Sequence, residues 1–446
     1  MDSVRARGKY SIDQKEGSCE ATKALDSIAP HLHDAPSMKL LVWATIFGSD
    51  LWSVTRFLAE RQRRGEDDLD VRVVLVHADA FHQEGVARLF PLDIPIVRRR
   101  RLYDFVGLPG FSPDITILDN RVPLIASSPK GFVLWHGFGW KGPNDRSEFH
   151  VLHTQLRRAF GDPLAPNPRF RWACFGPWDF AHRTEVSGFH PQNCRLVGAA
   201  SHDDLREPLD KTCAQPFYPF DIVERRTVML APTWHYGEVF QHWGKDDDLF
   251  ERLFTHLRRR DVNVILRLHD SYRFEPAYRV FLSDLARRHP HVLLKFRDKN
   301  PDNFLDLQVA DVLITNFSSI ASLYYATLRP TLHIYPVRNA DEAFTWRTCT
   351  MFGVRKTEVA GARFVWKLPP EDHGGLLALD FDTLMAQLDQ ALDEPGCCRD
   401  QARAFLDRHM LGADGRNRER ILASLRELHN TSITRSDAHG KATSYR

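Results

Sequence analysis

The sequence predicts an α/β protein built from two Rossmann-like domains with a cleft between them. Short apolar runs alternate with amphipathic stretches, and this alternation occurs twice, in residues 38–135 and in residues 228–336. Near-continuous apolar runs are typical of parallel strands covered on both faces, and strand–helix alternation is typical of a parallel sheet. Ligands of such sheets bind beyond the carboxyl ends of the strands. We therefore expect the functional residues in loops that follow strands.

Composition excludes several classes of protein. The 446 residues suffice for two domains, and 43% of them are hydrophobic, as in an ordinary soluble enzyme. The 60 basic and 58 acidic residues leave a net charge of +2, so no charge excess favours a nucleic-acid partner. Seven cysteines without a CxxC pair favour a reducing compartment and argue against zinc. Because the sequence has neither a signal peptide nor an 18-residue apolar span, we expect a cytoplasmic protein.

The first half of the chain contains the predicted N-terminal domain, residues 37–200. It follows a charged arm, residues 1–36, that we expect to be mobile. An amphipathic helix with Leu51, Val54 and Leu58 on its apolar face follows the first strand. The predicted strands of this domain are residues 40–44, 71–77, 94–97, 115–118 and 132–135.

A linker, residues 201–225, leads to the predicted C-terminal domain, residues 226–429. Its predicted strands are residues 228–232, 262–268, 292–296 and two more within residues 311–336. Its predicted helices are residues 250–259, 275–288, 382–392, 399–409 and 417–429. The polar tail, residues 430–446, is expected to be disordered.

Residues 311–336 predict a buried strand, a polar turn, a helix and a second strand. Asn316, Ser318 and Ser319 stand where the first of these strands ends, and all three are suitable N-cap residues. Unpaired N–H groups and the positive end of the helix dipole at such a turn hold phosphate without a basic side chain. The alternative is that the serines only cap the helix.

Two further strand ends carry groups suited to phosphate or proton chemistry. Arg267 and His269 end one strand, and His136 lies between an apolar strand and several glycines. We expect the His136 imidazole in the cleft, where its usual pKa of about 6.5 suits proton transfer; a structural histidine is the alternative. Residues 137–142 also match the GxGxxG pattern, but Pro143 follows where a helix is required. We interpret this match as accidental and predict no dinucleotide cofactor.

Five motifs occur along the chain in a specific order. They are Trp135-His136-Gly137 with Lys141 and Gly142, Ala231-Pro232-Thr233-Trp234, Arg267-Leu268-His269, the nine residues 311–319, and Asp414-Gly415 followed by Arg418 and Arg420. In this order, over residues 115–425, the chain resembles the CDP-glycerol glycerophosphotransferase family, the teichoic-acid primases and polymerases. The resemblance implies a GT-B fold, with the active site between two Rossmann-like domains, and a role in synthesis of the cell envelope.

Position by position, the resemblance also implies roles for individual residues. His136 would be the general base that takes a proton from an acceptor hydroxyl in the first domain, and His269 would lie near the donor pyrophosphate. The implied donor phosphate-binding residues are Ser318, Ser319, Asn316, Thr233 and Arg267. The implied residues of the acceptor side are Gly137, Lys141 and Trp234. The acceptor oxygen would attack the donor's β-phosphorus, and a nucleoside monophosphate would leave.

Three departures from the family pattern bear on the substrate. Asn316 stands where the family usually has Asp. Asp270 follows His269 where the family has Pro, and its negative charge would lie next to an anionic donor. Phe138-Gly139-Trp140 replaces the Thr-Pro-Leu that is common in the family. These changes leave the scaffold in place and point to an altered acceptor side.

We expect a transferase that moves glycerol phosphate or a related polyol phosphate from a CDP-linked donor to a cell-surface polymer or lipid-linked acceptor, without a cofactor. The enzymatic alternatives are a GT-B glycosyltransferase with a nucleotide-sugar donor and a sugar-nucleotide epimerase. The alternative without enzymatic activity is a binding protein on a decayed transferase fold. Peripheral contact with the inner face of the cell membrane stays open. The basic run of residues 98–101 is interpreted as a solvated face, with a phospholipid headgroup or an anionic polymer as alternative partners.

Metal binding is not predicted. His150 and His153 share a predicted helix face, and His289 and His291 lie near a turn, but neither pair has a third ligand at motif spacing.

Overall fold

Two parallel sheets dominate the structure. The computed structural model describes residues 37–45, 47–119, 121–135, 137–140, 144–232, 239–268, 276–296, 299–335, 343–350, 353–360, 367–411 and 414–433. From Ser37 onward the chain forms one compact unit, which contains both sheets.

The first sheet comes from the first half of the chain and has seven parallel strands. They are β1 Met38–Ala44, β2 Leu69–Leu75, β3 Ile96–Arg98, β4 Ile115–Leu118, β5 Lys130–Val133, β6 Phe170–Cys174 and β7 Cys194–Leu196. Their order across the sheet is β3-β2-β1-β4-β5-β6-β7, so the direction in which the chain builds the sheet reverses between β1 and β4. β4 and β5 are buried at every position, as expected for strands covered on both faces.

The second sheet has six parallel strands and repeats this order. They are β8 Thr227–Leu230, β9 Asn263–Leu268, β10 Val292–Phe296, β11 Val312–Thr315, β12 Thr331–Ile334 and, after an antiparallel hairpin of β13 Ala343–Thr350 and β14 Gly353–Ala360, β15 Leu376–Ala378. The order is β10-β9-β8-β11-β12-β15, with the reversal between β8 and β11. The predicted fold class, two Rossmann-like α/β domains, is confirmed.

Helices cover the sheets. They are α1 Ser49–Arg64, α2 Ala78–Phe81, α3 Gly85–Leu89, α4 Tyr103–Val106, α5 His150–Phe160, α6 Pro177–Ala181, α7 Ala200–Leu205, α8 Lys211–Ala214, α9 Asp246–Arg259, α10 Pro276–Arg288, α11 Phe304–Val309, α12 Ile320–Tyr324, α13 Phe381–Asp393, α14 Arg399–His409 and α15 Asn417–Asn430. Shorter helical turns are Arg146–Phe149, His182–Val186, Pro191–Asn193, Gln215–Phe217, Gln241–Trp243 and Tyr325–Thr327. Within the described residues, every helix is too short or too polar to span a lipid bilayer.

The sequence pattern misses β6, β7, β15 and the hairpin. β7 and β15 have three residues each, which is too short for a periodic signal. β6 contains Arg171, whose charge argues against a buried strand. The structure accommodates it because Arg171 Nη1 donates hydrogen bonds to the backbone oxygens of Asn167 and Phe170, both at 2.8 Å. The stretch predicted as a linker, residues 201–225, contains most of α7 at its start and all of α8.

Among the described residues the apolar side chains form three layers, and the middle layer is shared by the two domains. In that layer the Trp52 ring lies 4.6 Å from the Phe304 ring, centroid to centroid. The Trp140 ring stacks on Phe405 at 5.2 Å. Apolar burial between the two sheets therefore fixes one domain against the other.

The C-terminal helix α15 returns to the first sheet. It contacts α1, β5 and β6. At its start, Asn417 Nδ2 donates a hydrogen bond to the Ala199 backbone oxygen at 3.0 Å, and at its end Lys130 Nζ donates to the His429 oxygen at 2.6 Å. The chain thus crosses back over the first domain after it has built the second.

Candidate functional site

A cleft with a cavity volume of about 190 Å³ lies where the reversal points of the two sheets meet. Parallel α/β sheets bind ligands at such points because the two adjacent connections leave in opposite directions and open a crevice. The first-domain wall consists of Gly48, Ser49, Asp50, Leu51, Asp119, Leu134 and Trp135. The second-domain wall consists of Ala231, Pro232, Arg267, Leu268, Pro301, Asn303, Ser318, Ser319, Ile320 and Leu323.

Residues 316–319, which we call the serine turn, follow β11 and form part of the second-domain wall. Thr315 Oγ1 donates a hydrogen bond to the Ala231 backbone oxygen at 2.8 Å, which ties the ends of β11 and β8 together. Phe317 has a positive φ of 61°, a sharp reversal that brings Ser318 and Ser319 to the cleft. Ser319 precedes α12 without a side-chain capping bond, and neither serine hydroxyl bonds another residue that the structure describes. Both hydroxyls are therefore available to a ligand, which argues against a purely capping role.

Two features of this turn differ from the expectation. α12 has only five residues before the helical turn Tyr325–Thr327, so its macrodipole is smaller than that of a long helix. Hydroxyl and N–H groups must then supply more of any phosphate binding. Asn316 is 0% exposed and does not line the cleft. An effect of Asn316 on a donor would act through the conformation of the turn.

Gly137 brings the first-domain loop against the serine turn. Its φ is 142°, and a Cβ at this position would lie 2.5 Å from Ser319 Cβ and 2.6 Å from Ser319 Oγ. Real Cβ contacts are not this short, so only glycine permits the two loops to approach so closely. The loop that contains the predicted base and the turn that contains the predicted phosphate ligands are therefore in contact.

Aromatic side chains fix the loop that follows β5. Trp135 stacks on Trp172, with ring centroids 5.5 Å apart. Phe138 and Trp140 are 1% and 0% exposed, and Trp140 Nε1 donates a hydrogen bond to the Asp372 backbone oxygen at 3.0 Å. The replacement of the family's Thr-Pro-Leu thus places two aromatic rings in the layer between the domains, where they anchor the loop.

Arg267 lines the cleft, but its guanidinium is already bound within the second domain. Nη1 donates to Asp306 Oδ2 at 3.0 Å, and Nη2 donates to the Asn300 oxygen at 2.7 Å. Lys295 Nζ also donates to Asp306, at 2.7 Å. Burial favours the neutral form of Asp306, yet these two cations outweigh burial and hold the pKa of Asp306 below its usual value. The predicted contact of Arg267 with donor phosphate stays a prediction.

Two carboxylates of the first-domain wall are not found by sequence reasoning. Asp119 follows β4, and its Oδ2 accepts a hydrogen bond from Thr45 N at 2.8 Å. Asp50 lies in the first turn of α1, and its Oδ1 accepts hydrogen bonds from Ser201 N at 2.9 Å and Ser201 Oγ at 2.7 Å. The usable signal is position: Asp119 directly follows a buried strand next to the reversal point, and Asp50 opens the helix after β1.

The electrostatics of Asp50 favour its protonated form. Burial is the largest effect, the two hydrogen bonds from Ser201 oppose it, and the nearby carboxylates Asp203 and Asp204 reinforce it. Together they raise the pKa of Asp50 from 3.8 to about 6. Asp50 can therefore hold or release a proton close to neutral pH.

Five predicted site residues lie outside the described residues: His136, Lys141, Thr233, Trp234 and His269. Three of them directly follow residues that line the cleft. His136 follows Trp135, Thr233 follows Pro232, and His269 follows Leu268. The roles of all five stay predictions. Among the described residues, no group of three or more His, Cys, Asp or Glu side chains could hold a metal ion.

No protein-family model and no curated protein sequence matches the chain. Solved structures do. The chain is similar to a variant of the wall teichoic acid polymerase TagF, with 13% identity, a TM-score of 0.59 and 89% coverage of each chain. It is also similar to a Listeria monocytogenes protein described as a UDP-N-acetylglucosamine 2-epimerase, with 13% identity, a TM-score of 0.51 and coverage of 88% of this chain and 96% of that one. MnaA of S. aureus, solved with UDP, gives 12% identity, a TM-score of 0.51 and coverage of 89% and 98%.

These likenesses extend over most of each chain. Because the sequence identities are low, they establish the fold and nothing more. The family resemblance that the five motifs predict is confirmed at that level. The chain has a GT-B-like fold of two Rossmann-like domains, the fold of the wall teichoic acid polymerase TagF.

Proposed function

We propose that the protein is a transferase that moves glycerol phosphate or a related polyol phosphate from a CDP-linked donor to a cell-surface polymer or lipid-linked acceptor. One observation carries the proposal. The serine turn of the second domain and the Gly137 loop of the first domain touch at the cleft. A phosphate donor on the turn would therefore lie within reach of a base in the neighbouring loop. We further propose that the protein acts at the cytoplasmic face of the membrane.

In the proposed reaction, Ser318, Ser319 and Thr233 bind the donor phosphates. His136 takes the proton from an acceptor hydroxyl, whose oxygen attacks the donor's β-phosphorus, and cytidine monophosphate leaves. General-base catalysis contributes typically 10²- to 10⁴-fold. Fixed donors around the phosphoryl oxygens and the alignment of the two substrates supply the larger share, since phosphoryl transfer requires little covalent chemistry from the protein.

The arrangement of charge supports this orientation of the substrates. Asp119 lies on the first-domain wall, where its carboxylate would repel an anionic pyrophosphate but not a neutral acceptor hydroxyl. The hydroxyls of Ser318 and Ser319 lie on the second-domain wall. The donor is therefore assigned to the second domain and the acceptor to the first.

A sugar-nucleotide epimerase or a GT-B glycosyltransferase is the second candidate. It is favoured by the likeness to MnaA solved with UDP, and by Asp50, whose raised pKa suits proton transfer. The two candidates differ in their products. Transfer would leave a phosphodiester on the acceptor, a glycosyltransferase would leave a phosphate-free glycoside, and an epimerase would return an isomer of the nucleotide sugar.

The test begins with the ligand. A thermal-shift panel of CDP-, UDP- and GDP-linked compounds identifies the donor class, because a ligand of the native state raises the melting temperature according to its affinity. Mass spectrometry of the product then distinguishes the reactions. A phosphodiester product with release of CMP supports the proposal, and an isomerised UDP-sugar or a glycoside contradicts it. Donor binding without turnover would instead indicate a binding protein on a decayed transferase fold.

A further inference from the structure

Exposed apolar side chains cluster on one face of the first domain. Ten large hydrophobic residues are exposed among those that the structure describes, and six of the ten lie in three neighbouring segments. These six are Leu102, Phe105, Val106, Leu124, Ile125 and Val151. Single exposed apolar residues are ordinary, whereas a cluster indicates a contact surface.

Hydrogen bonds hold the three segments together. Ile125 N donates to the Asp104 backbone oxygen at 2.9 Å, which joins the loop after β4 to α4. Arg158 Nη2 donates to the Pro123 oxygen at 3.4 Å, which joins the same loop to α5. Val151 and Arg158 lie seven residues apart on α5 and therefore share one helix face. The clustered residues thus form one surface rather than separate spots.

Arginines surround an open cavity in this surface. Arg99, Arg101, Arg121 and Arg158 line it together with one acidic residue, Asp104. Asp104 is nearly buried and forms an ion pair with Arg99. The other three arginines are exposed, and within the described part of the chain none of them has an ion-pair partner. The cavity therefore has an excess of three positive charges beside the apolar cluster.

We propose that this surface, the arginine surface, docks on a lipid bilayer that contains anionic phospholipids. Guanidinium groups bind phosphate oxygens in a fixed two-point geometry, which suits headgroups at the cavity. The apolar side chains around it would enter the interfacial region of the bilayer, as in other proteins that combine basic and apolar residues at a membrane. A soluble polyanion would need the arginines alone and would leave the apolar cluster without a function, so the combination favours a bilayer.

The surface lies close to the cleft along the chain. The loop after β4 contains Asp119, which lines the cleft, and Arg121 and Leu124, which line the arginine cavity. A docked bilayer would present a lipid-linked acceptor beside the first-domain wall. This consequence rests on the proposed function, whereas the docking itself does not.

The test measures co-sedimentation of the full chain with vesicles, in the absence of any nucleotide. Binding is expected to vesicles of phosphatidylcholine mixed with phosphatidylglycerol, to fall with added salt, and to be weak with phosphatidylcholine alone. The triple variant Arg101→Gln, Arg121→Gln, Arg158→Gln should bind the anionic vesicles about 100-fold more weakly, at roughly fivefold per arginine. A matched control, Arg63→Gln with Arg258→Gln and Arg259→Gln, removes the same net charge at three exposed positions elsewhere.

A second pair of variants tests the apolar contribution. Leu102→Ser with Ile125→Ser should also weaken binding to the anionic vesicles, while Val280→Ser with Leu379→Ser, at exposed positions elsewhere, should not. The proposal is overturned if the wild type does not prefer anionic vesicles, or if the arginine triple variant binds as well as its control. Unchanged binding of Leu102→Ser with Ile125→Ser, together with displacement by inorganic polyphosphate, would identify a soluble-anion site and also overturn it. Nucleotide thermal shifts on the same preparations test the cleft separately.

Discussion

The two walls of the cleft differ in the polar groups that they present. The first-domain wall has the carboxyl groups of Asp50 and Asp119, and the second-domain wall has Ser318, Ser319 and Arg267. A carboxylate repels an anionic donor, whereas hydroxyl and N–H groups bind it. The difference supports the proposed arrangement, in which the donor binds to the second domain and proton transfer takes place at the first.

Hydrogen bonds and an ion pair hold the polar groups of both walls in place. Ser201 binds Asp50 and Thr45 binds Asp119, while Asp306 binds Arg267. Groups fixed in this way need little rearrangement when a ligand arrives, which is what electrostatic catalysis requires. The following changes would break or sharpen this comparison of the two walls.

The largest effect is expected from His136→Ala, which removes the proposed base of the first-domain loop. Turnover should fall by roughly 10²- to 10⁴-fold while the affinity for donor, measured by calorimetry, stays close to that of the wild type. His150→Ala on the exposed start of α5 is the matched control. An unchanged turnover would contradict the base role and leave proton transfer to the carboxylates of the same wall.

Asp50 makes the first wall sensitive to pH. Because its folded pKa of about 6 lies above its ordinary 3.8, the unfolded chain releases this proton first as the pH rises. Protonated Asp50 therefore makes its full contribution to the free energy of unfolding below about pH 4. This contribution, about 3 kcal/mol at most, is lost as the pH rises through 6. Asp50→Asn should remove this loss. Denaturant unfolding at pH 4 and pH 7 measures it, with Asp79→Asn as the control at an exposed carboxylate.

Equal pH dependence of Asp50→Asn and the wild type would mean that the carboxylate is not buried in its neutral form. Asp50 would then be ionised at neutral pH, and proton transfer at the first wall would not involve it.

Gly137→Ala tests whether the two walls touch. The added Cβ would meet Ser319, so the free energy of unfolding should fall by about 1–3 kcal/mol more than in Gly110→Ala. Gly110 is a suitable control because its φ is also positive, at 73°, but a Cβ added there would meet no atom within 4 Å. Denaturant unfolding of Gly137→Ala, with and without Ser319→Gly, measures the clash. Equal losses in Gly137→Ala and Gly110→Ala would show that the loops do not meet.

The smallest effect is expected from Ser318→Ala on the second wall. Loss of one hydroxyl should weaken binding of CDP about 2- to 13-fold, the range for a neutral hydrogen bond of about 0.5–1.5 kcal/mol. Ser283→Ala is the control, because the Ser283 hydroxyl donates to the Arg279 backbone oxygen within α10. Calorimetry that gives both variants wild-type affinity would assign the serine turn to structure alone.

Much of the fold follows from local pattern. The strand Val292–Phe296 and the helix Arg399–His409 are predicted at the residues where the structure has them, because apolar periodicity is a local property. The strand end before Asn316 is likewise visible in the sequence, so Ser318 and Ser319 can be placed at a loop that follows a strand. The order of five motifs adds the GT-B expectation.

Other features depend on residues that are distant in sequence and have no local signature. Phe138 and Trp140, flanked by glycines, read as part of an acceptor loop, and only packing against Phe405 places them between the domains. Asp50 and Asp119 read as ordinary polar residues until the strand order brings the loops after β1 and β4 together. By itself the sequence determined most strands of the two sheets, the longer helices and the place of the serine turn. The tertiary structure decided that the two reversal points meet at one cleft, because only long-range packing sets which strand ends become neighbours.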